Sequence, residues 1–247
     1  MINSVTTKKL RTSALIFDID GTLWDIRALV ARAWSEAASE YTGKAVHIEA
    51  EQLTSLLGKP MPEIFKGIFP GLTEKAYREI AEVCERQQAK AMETEGGRLY
   101  PGVAETLPLL AETYPLYIVS NCQCGYIEAF LRLSGLSPFF KDWLCFGDTG
   151  LSKGQTMLRL MEKSGLQNIE GPTYKNNFNA AYNWNTELPA EGTCFPAVYL
   201  GDILGDALAC KEAGIPFIWA SYGFGEVGPD DYIEKIGQFS ELSKILF

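Results

Sequence analysis

Two carboxylates stand two residues apart at the end of an apolar run in "ALIFDIDGTLWD", residues 14–25. Asp18 follows Phe17 directly, Asp20 comes next but one, and Gly21 and Thr22 close the motif. A carboxylate in that place can act as a nucleophile. A second one beside it can protonate a leaving oxygen and later activate water. Polar residues recur after the other apolar runs. Ser120 and Asn121 follow "LYIV", Lys153 follows "WLCF" and the loop "GDTGLS", and Asp202 and Asp206 follow "AVYLG". Several acids at one rim repel each other unless a cation joins them. An all-oxygen donor set suits a hard ion, Mg²⁺. Lys153 and the hydroxyls of Thr22 and Ser120 would hold an anion beside it. Metal, carboxylates and anion donors together describe phosphoryl transfer, in which a protein mainly positions groups and neutralises charge. A lone D-x-D, or Asp202 alone, reads equally well as a helix cap. Four such features at successive strand ends do not.

These residues meet only if the strands that carry them are parallel. Apolar runs at 14–17, 116–120, 143–146, 197–201 and 216–221 alternate with helical patterns at 103–111, 125–133, 155–164 and 206–213. The runs are near-continuous in hydrophobicity, as strands buried on both faces should be. The alternation predicts an α/β fold, a Rossmann-like doubly wound parallel sheet with ligands at the carboxyl ends of its strands. Residues 24–97 break the pattern. Apolar residues at 26, 29, 30, 33, 34, 37 and 41, and again at 76, 77, 80, 83, 84, 91 and 92, have helical spacing, the second set after a Thr73 N-cap. We therefore expect a catalytic core of residues 1–23 and 98–247 and an inserted helical-bundle cap of residues 24–97, hinged near Trp24 and Gly96-Gly97. Trp24 is expected to pack rather than to recognise substrate. In the cap, "LLGKPMPEIF" offers Lys59, equally suited to a substrate contact or to solvent. Residues 168–196, rich in Asn and aromatics, far exceed the about 2–6 residues of an ordinary helix-to-strand connection. The direction of travel along the preceding helix assigns this insert to the side away from the catalytic rim. There it would be a surface excursion or a self-association patch, and the oligomeric expectation is a monomer or a homodimer.

The net charge of −9 disfavours nucleic acid and anionic membranes as partners. The first residues have no apolar core of signal-peptide length, and no run of about 18 apolar residues exists to span a bilayer. Six dispersed cysteines suit a reducing, cytoplasmic setting. The closest pair, Cys122 and Cys124, can chelate a metal or cycle its redox state, but two bystander thiols are the expectation. The single histidine, His47, excludes a Ser–His–Asp triad and a His-rich zinc site.

Taken in order, "DIDGT", "SN", a lysine and "GDILGD" resemble the haloacid dehalogenase-like superfamily of phosphohydrolases, over residues 12–225 outside the insert. The resemblance implies a helical cap of the C1 type and a Mg²⁺-dependent phosphatase of the phosphoglycolate phosphatase kind, acting on a small phosphorylated metabolite. It implies that Asp18 is the nucleophile and a metal ligand. Asp20 would be the general acid and base, lending its backbone carbonyl to the metal. Ser120 and Lys153 would bind the phosphoryl group, supported by Thr22 and Asn121. Asp202 would be a further metal ligand, with Asp206 close behind. Dehalogenases of this fold lack an acid where Asp20 stands, and hexose-phosphate mutases often carry Val where Thr22 stands. The alternatives are a phosphosugar mutase similar to β-phosphoglucomutase and a catalytically silent binding protein; the intact set of acids argues against the second.

Overall fold

In the computed structural model, which describes residues 10–54, 56, 61–166 and 194–246, six parallel strands form the central sheet. In chain order they are β1 (Leu15–Phe17), β2 (Leu116–Ser120), β3 (Phe140–Cys145), β4 (Val198–Gly201), β5 (Phe217–Ala220) and β6 (Glu234–Ile236). Their spatial order is β6-β5-β4-β1-β2-β3. This is the doubly wound order, in which the winding reverses between β1 and β4 and leaves a crevice beyond their carboxyl ends. The alternation of apolar runs and helices predicted this sheet. It did not reveal β6, whose short, charged "EKI" is an edge strand without an apolar signature. The run "WLCF" is also shifted. The strand begins at Phe140 and ends at Cys145, and Phe146 opens a short helix.

Burial on both faces explains the near-continuous apolar strands. Leu15 and Phe17 point into a core shared with α5 (Val103–Thr113) and α6 (Tyr126–Ser134). Ile16 points into the opposite core with α8 (Lys153–Lys163) and α9 (Leu204–Ala213). Each fully buried Leu, Ile or Phe is worth about 1.5–3 kcal/mol, so the two layers hold the strand ends in fixed register.

Among the described residues, four helices fill the chain between Trp24 and Arg98: α1 (Arg27–Thr42), α2 (Ala50–Leu53), α3 (Met61–Ile68) and α4 (Glu74–Ala91). Thr73 caps α4, its hydroxyl accepting the Ala76 N–H at 3.3 Å. Trp34 of α1 stacks on Phe65 of α3 at 4.7 Å and donates its indole N–H to Gln88 of α4. The bundle joins the sheet domain through a two-residue antiparallel ribbon, Trp24–Asp25 with Arg98–Leu99. Residues 24–97 showed no strand signal because a two-residue pairing is too short for any periodicity. Arg27 braces the junction. It grips the Asp25 carboxylate with two N–H groups at 2.9 and 2.6 Å, donates to Thr54 at 2.8 Å, and lies 4.9 Å over the Phe224 ring. Lys59 and residues 168–193 of the insert lie outside the described residues.

Candidate active site

At the carboxyl end of β1 the chain turns back on itself. The carbonyl of Ile19 accepts the N–H groups of Thr22, Leu23 and Trp24. Gly21 has a φ of +84°, and a Cβ there would lie 2.0 Å from Asp202 Oδ2. Only glycine lets this turn pass so close to the end of β4. The turn presents Asp18, Asp20 and Thr22, the β2 end presents Ser120 and Asn121, and the β4 end presents Asp202 and Asp206. Lys153 arrives on the first turn of α8. Asp18, Thr22, Ser120, Lys153, Asp202 and Asp206 are all buried, and Asp20 and Asn121 partly so.

Lys153 is the hub. Its ammonium donates to Asp18 Oδ2 at 2.9 Å and to Asp206 Oδ1 at 2.6 Å. Burial favours loss of its proton, but the two carboxylates outweigh it and hold the ammonium well above the usual lysine range. The other oxygen of Asp206 accepts the backbone N–H groups of Asp202 and Ile203, so it fixes Lys153 and the start of α9 together. Asp202 is held by the Phe224 N–H at 2.7 Å and the Thr22 hydroxyl at 3.4 Å. The Thr22 hydroxyl is thus directed at Asp202. Asp18 Oδ1 is buried and makes no hydrogen bond.

The carboxylates of Asp18, Asp202 and Asp206 lie within 4.8 Å of one another. Burial, then the charges of Asp206 and Asp18, drive the Asp202 carboxyl far above the ordinary carboxylate range. A divalent cation would relieve that repulsion and give the orphaned Asp18 oxygen a partner. The residues present therefore fit a hard metal ion.

Asp20 stands in a different environment. Its Oδ1 accepts the Tyr126 hydroxyl at 2.5 Å and the Trp24 indole N–H at 3.0 Å. Burial pushes its carboxyl from 3.8 up to about 7, with the Asp18 charge adding and both donors opposing. Sequence reasoning missed these two partners. Trp24 was expected to pack, and it is buried, but it also holds Asp20. Tyr126 lies 106 residues away on α6, and no spacing signal connects the two.

Asp20, Ser120, Asn121 and Tyr126 form the floor of a cavity of about 550 Å³ whose opposite wall includes Trp34 and Met92 of the helical bundle. Arg132 of α6 closes one side, donating to the carbonyls of Met92 and Glu93.

Comparison with known proteins identifies the family. A family model described as haloacid dehalogenase-like hydrolase matches residues 15–171. A phosphoglycolate phosphatase from Rhodobacter capsulatus is 26% identical over 235 residues, 94% of either chain. The pyrophosphatase PpaX of Listeria welshimeri is 28% identical over 132 residues, 53% of this chain and 58% of its own. The solved structure of a haloacid dehalogenase-like family hydrolase from Streptococcus pneumoniae superposes with a TM-score of 0.73 at 18% identity, over 94% of this chain and 97% of its own.

Proposed function

The chain belongs to the haloacid dehalogenase-like hydrolases, and from that premise we propose that it is a Mg²⁺-dependent phosphatase of a small phosphorylated metabolite. The observation that carries the reading is the buried Asp18–Lys153–Asp206 array beside Asp202, with one Asp18 oxygen left unpartnered. Asp18, the backbone carbonyl of Asp20, and Asp202 would hold the ion. Once bound there, it would supply positive charge to the phosphoryl oxygens. Asp206 acts mainly through Lys153 and the backbone it anchors.

Asp18 attacks phosphorus, the bond to the leaving oxygen breaks, and Asp20 gives that oxygen its proton. A raised carboxyl pKa suits Asp20 to this step, because a useful fraction stays protonated near neutral pH. Asp20 then takes a proton from water, the water oxygen bonds to phosphorus, and the aspartyl-phosphate bond breaks to free Asp18 and inorganic phosphate. Lys153 stays charged throughout and, with Ser120 and Asn121, binds the phosphoryl group, while Thr22 steadies Asp202. The cavity beneath the helical bundle receives the rest of the substrate, so residues 24–97 serve as the cap over a core of residues 1–23 and 98–247.

The relatives put phosphoglycolate and pyrophosphate first in a substrate panel. The primary test is phosphate release from p-nitrophenyl phosphate with Mg²⁺, with EDTA, and for Asp18→Asn. EDTA should abolish release, and Asp18→Asn should lower it by at least about 10³-fold. Activity surviving in Asp18→Asn overturns the mechanism.

A further inference from the structure

A second group of metal-ligand side chains lies next to the site, on the β2 and β3 ends. The loop after β2 carries Cys122 and Cys124. Cys145 ends β3, and Asp148 follows on the short helix α7 (Phe146–Thr149). The Cys124 sulfur, the Cys145 sulfur and an Asp148 oxygen lie within 4.8 Å of one another. Asp148 Oδ2 accepts both the backbone N–H and the thiol of Cys145, each at 3.0 Å. The Cys124 thiol donates to the same carboxylate.

The two loops are locked before any ligand arrives. The Gly147 N–H donates to the Cys122 carbonyl at 3.0 Å, and a Cβ at Gly147 would lie 2.3 Å from the Cys124 nitrogen. Cys145 is buried while Cys124 and Asp148 face solvent, so the group has a fixed inner donor and an open approach. A carboxylate has no part in a disulfide, but it is an ordinary third ligand. Two thiolates with one carboxylate select a thiophilic ion over Mg²⁺.

We propose that Cys124, Cys145 and Asp148 form a separate site for a thiophilic divalent metal, Zn²⁺ being the chemical type. The ion bonds to the Cys124 and Cys145 sulfurs and the Asp148 oxygen, and the two thiols release their protons to solvent. Binding clamps the loop that begins at Ser120 and Asn121 onto α7. The site is independent of the phosphatase reading.

Co²⁺ is the probe, because sulfur-to-cobalt charge transfer gives a near-ultraviolet band that oxygen ligands do not. The reduced, chelator-stripped full chain is titrated with Co²⁺ and then with Zn²⁺. The band should saturate at a single equivalent and be erased by Zn²⁺. Because Cys124 is exposed, Cys124→Ser tests ligation without opening the core, and it should remove the band. Asp148→Asn should weaken binding, and Asp18→Asn should leave the band in place. A parent protein without the band, or a band that persists in Cys124→Ser, overturns the proposal. So does a Cys122–Cys145 or Cys124–Cys145 disulfide in place of metal uptake.

Discussion

Two clusters share one rim of the sheet and solve opposite problems. At the ends of β1 and β4 the donors are carboxylates, all three buried, with an ammonium already among them. At the ends of β2 and β3 the donors are two thiols and one carboxylate, and only Cys145 is deeply buried. The oxygen cluster crowds three buried acids around one ammonium, so that burial and mutual repulsion hold the Asp202 proton on. It stores repulsion that a cation would balance, and it is rigid because each acid is held by backbone N–H groups, Lys153 or a hydroxyl. While its thiols keep their protons the sulfur cluster carries one charge, on Asp148, which faces solvent and is held by hydrogen bonds, so it costs little when empty. Burial decides which cluster can do chemistry, and donor softness decides which ion each prefers.

The comparison breaks most visibly at Lys153. Lys153→Met leaves two buried carboxylates facing each other without their cation. Stability should fall by about 3–5 kcal/mol and kcat by at least about 10²-fold, read by urea unfolding and phosphate release. A variant of parental stability would mean the array is not held by charge.

Asp20→Asn probes the cost of charge at the edge of the oxygen cluster. The folded-state carboxyl sits at about 7 against 3.8, so ionising it opposes folding. Parental stability should therefore decline relative to the variant from about pH 4 to about pH 7 and stay level above that. The full difference is about 2–4 kcal/mol. Unfolding curves in EDTA at pH 5 and pH 8 check this; parallel curves sink the assignment.

On the sulfur side, Gly147→Ala forces a methyl against the Cys124 backbone. It should cost about 1–3 kcal/mol and weaken the cobalt band, and an unchanged band would show that the loops are not pre-locked.

The smallest effect sharpens the contrast between Asp20 and its neighbours. Tyr126→Phe removes a donor that favours the carboxylate, so the Asp20 pKa rises further. The general acid then stays protonated to higher pH, and the basic limb of kcat/KM should move up by about one pH unit or less. Trp24→Phe should move it the same way by less, since the Tyr126 bond is the larger influence. A downward move in either variant excludes Asp20 as the acid.

The parts of the molecule that were legible beforehand share a cause. Asp18, Ser120, Lys153 and Asp202 each follow a strongly apolar strand or open the helix behind one, and a parallel sheet brings such residues together whatever their spacing. The helical cap showed itself through two amphipathic periods. The missing parts depend on contacts that no local pattern encodes. Tyr126 reaches Asp20 from the first turn of α6, and Trp24 returns to it through a turn, although in the sequence it reads as an ordinary aromatic after a motif. Cys145 lay within an apolar strand run, so its approach to Cys122 and Cys124, across α6, left no trace in the chain. Strand β6 was invisible because its residues are those of an edge. Lys59, equally suited to a substrate contact or to solvent, and residues 168–193 of the insert fall outside the described residues.

The paired ribbon at Trp24–Asp25 and Arg98–Leu99 has an engineering consequence. The chain enters and leaves the bundle through two neighbouring backbones, so everything between them behaves as a cassette on a single stalk. A chimera that exchanges the cassette would change what the cavity admits while Asp18, Lys153 and Asp202 keep their places. The cut belongs after Asp25, because Trp24 carries the hydrogen bond to Asp20. The graft must also bring an arginine where Arg27 stands, since its fork on Asp25 is the stalk's clasp.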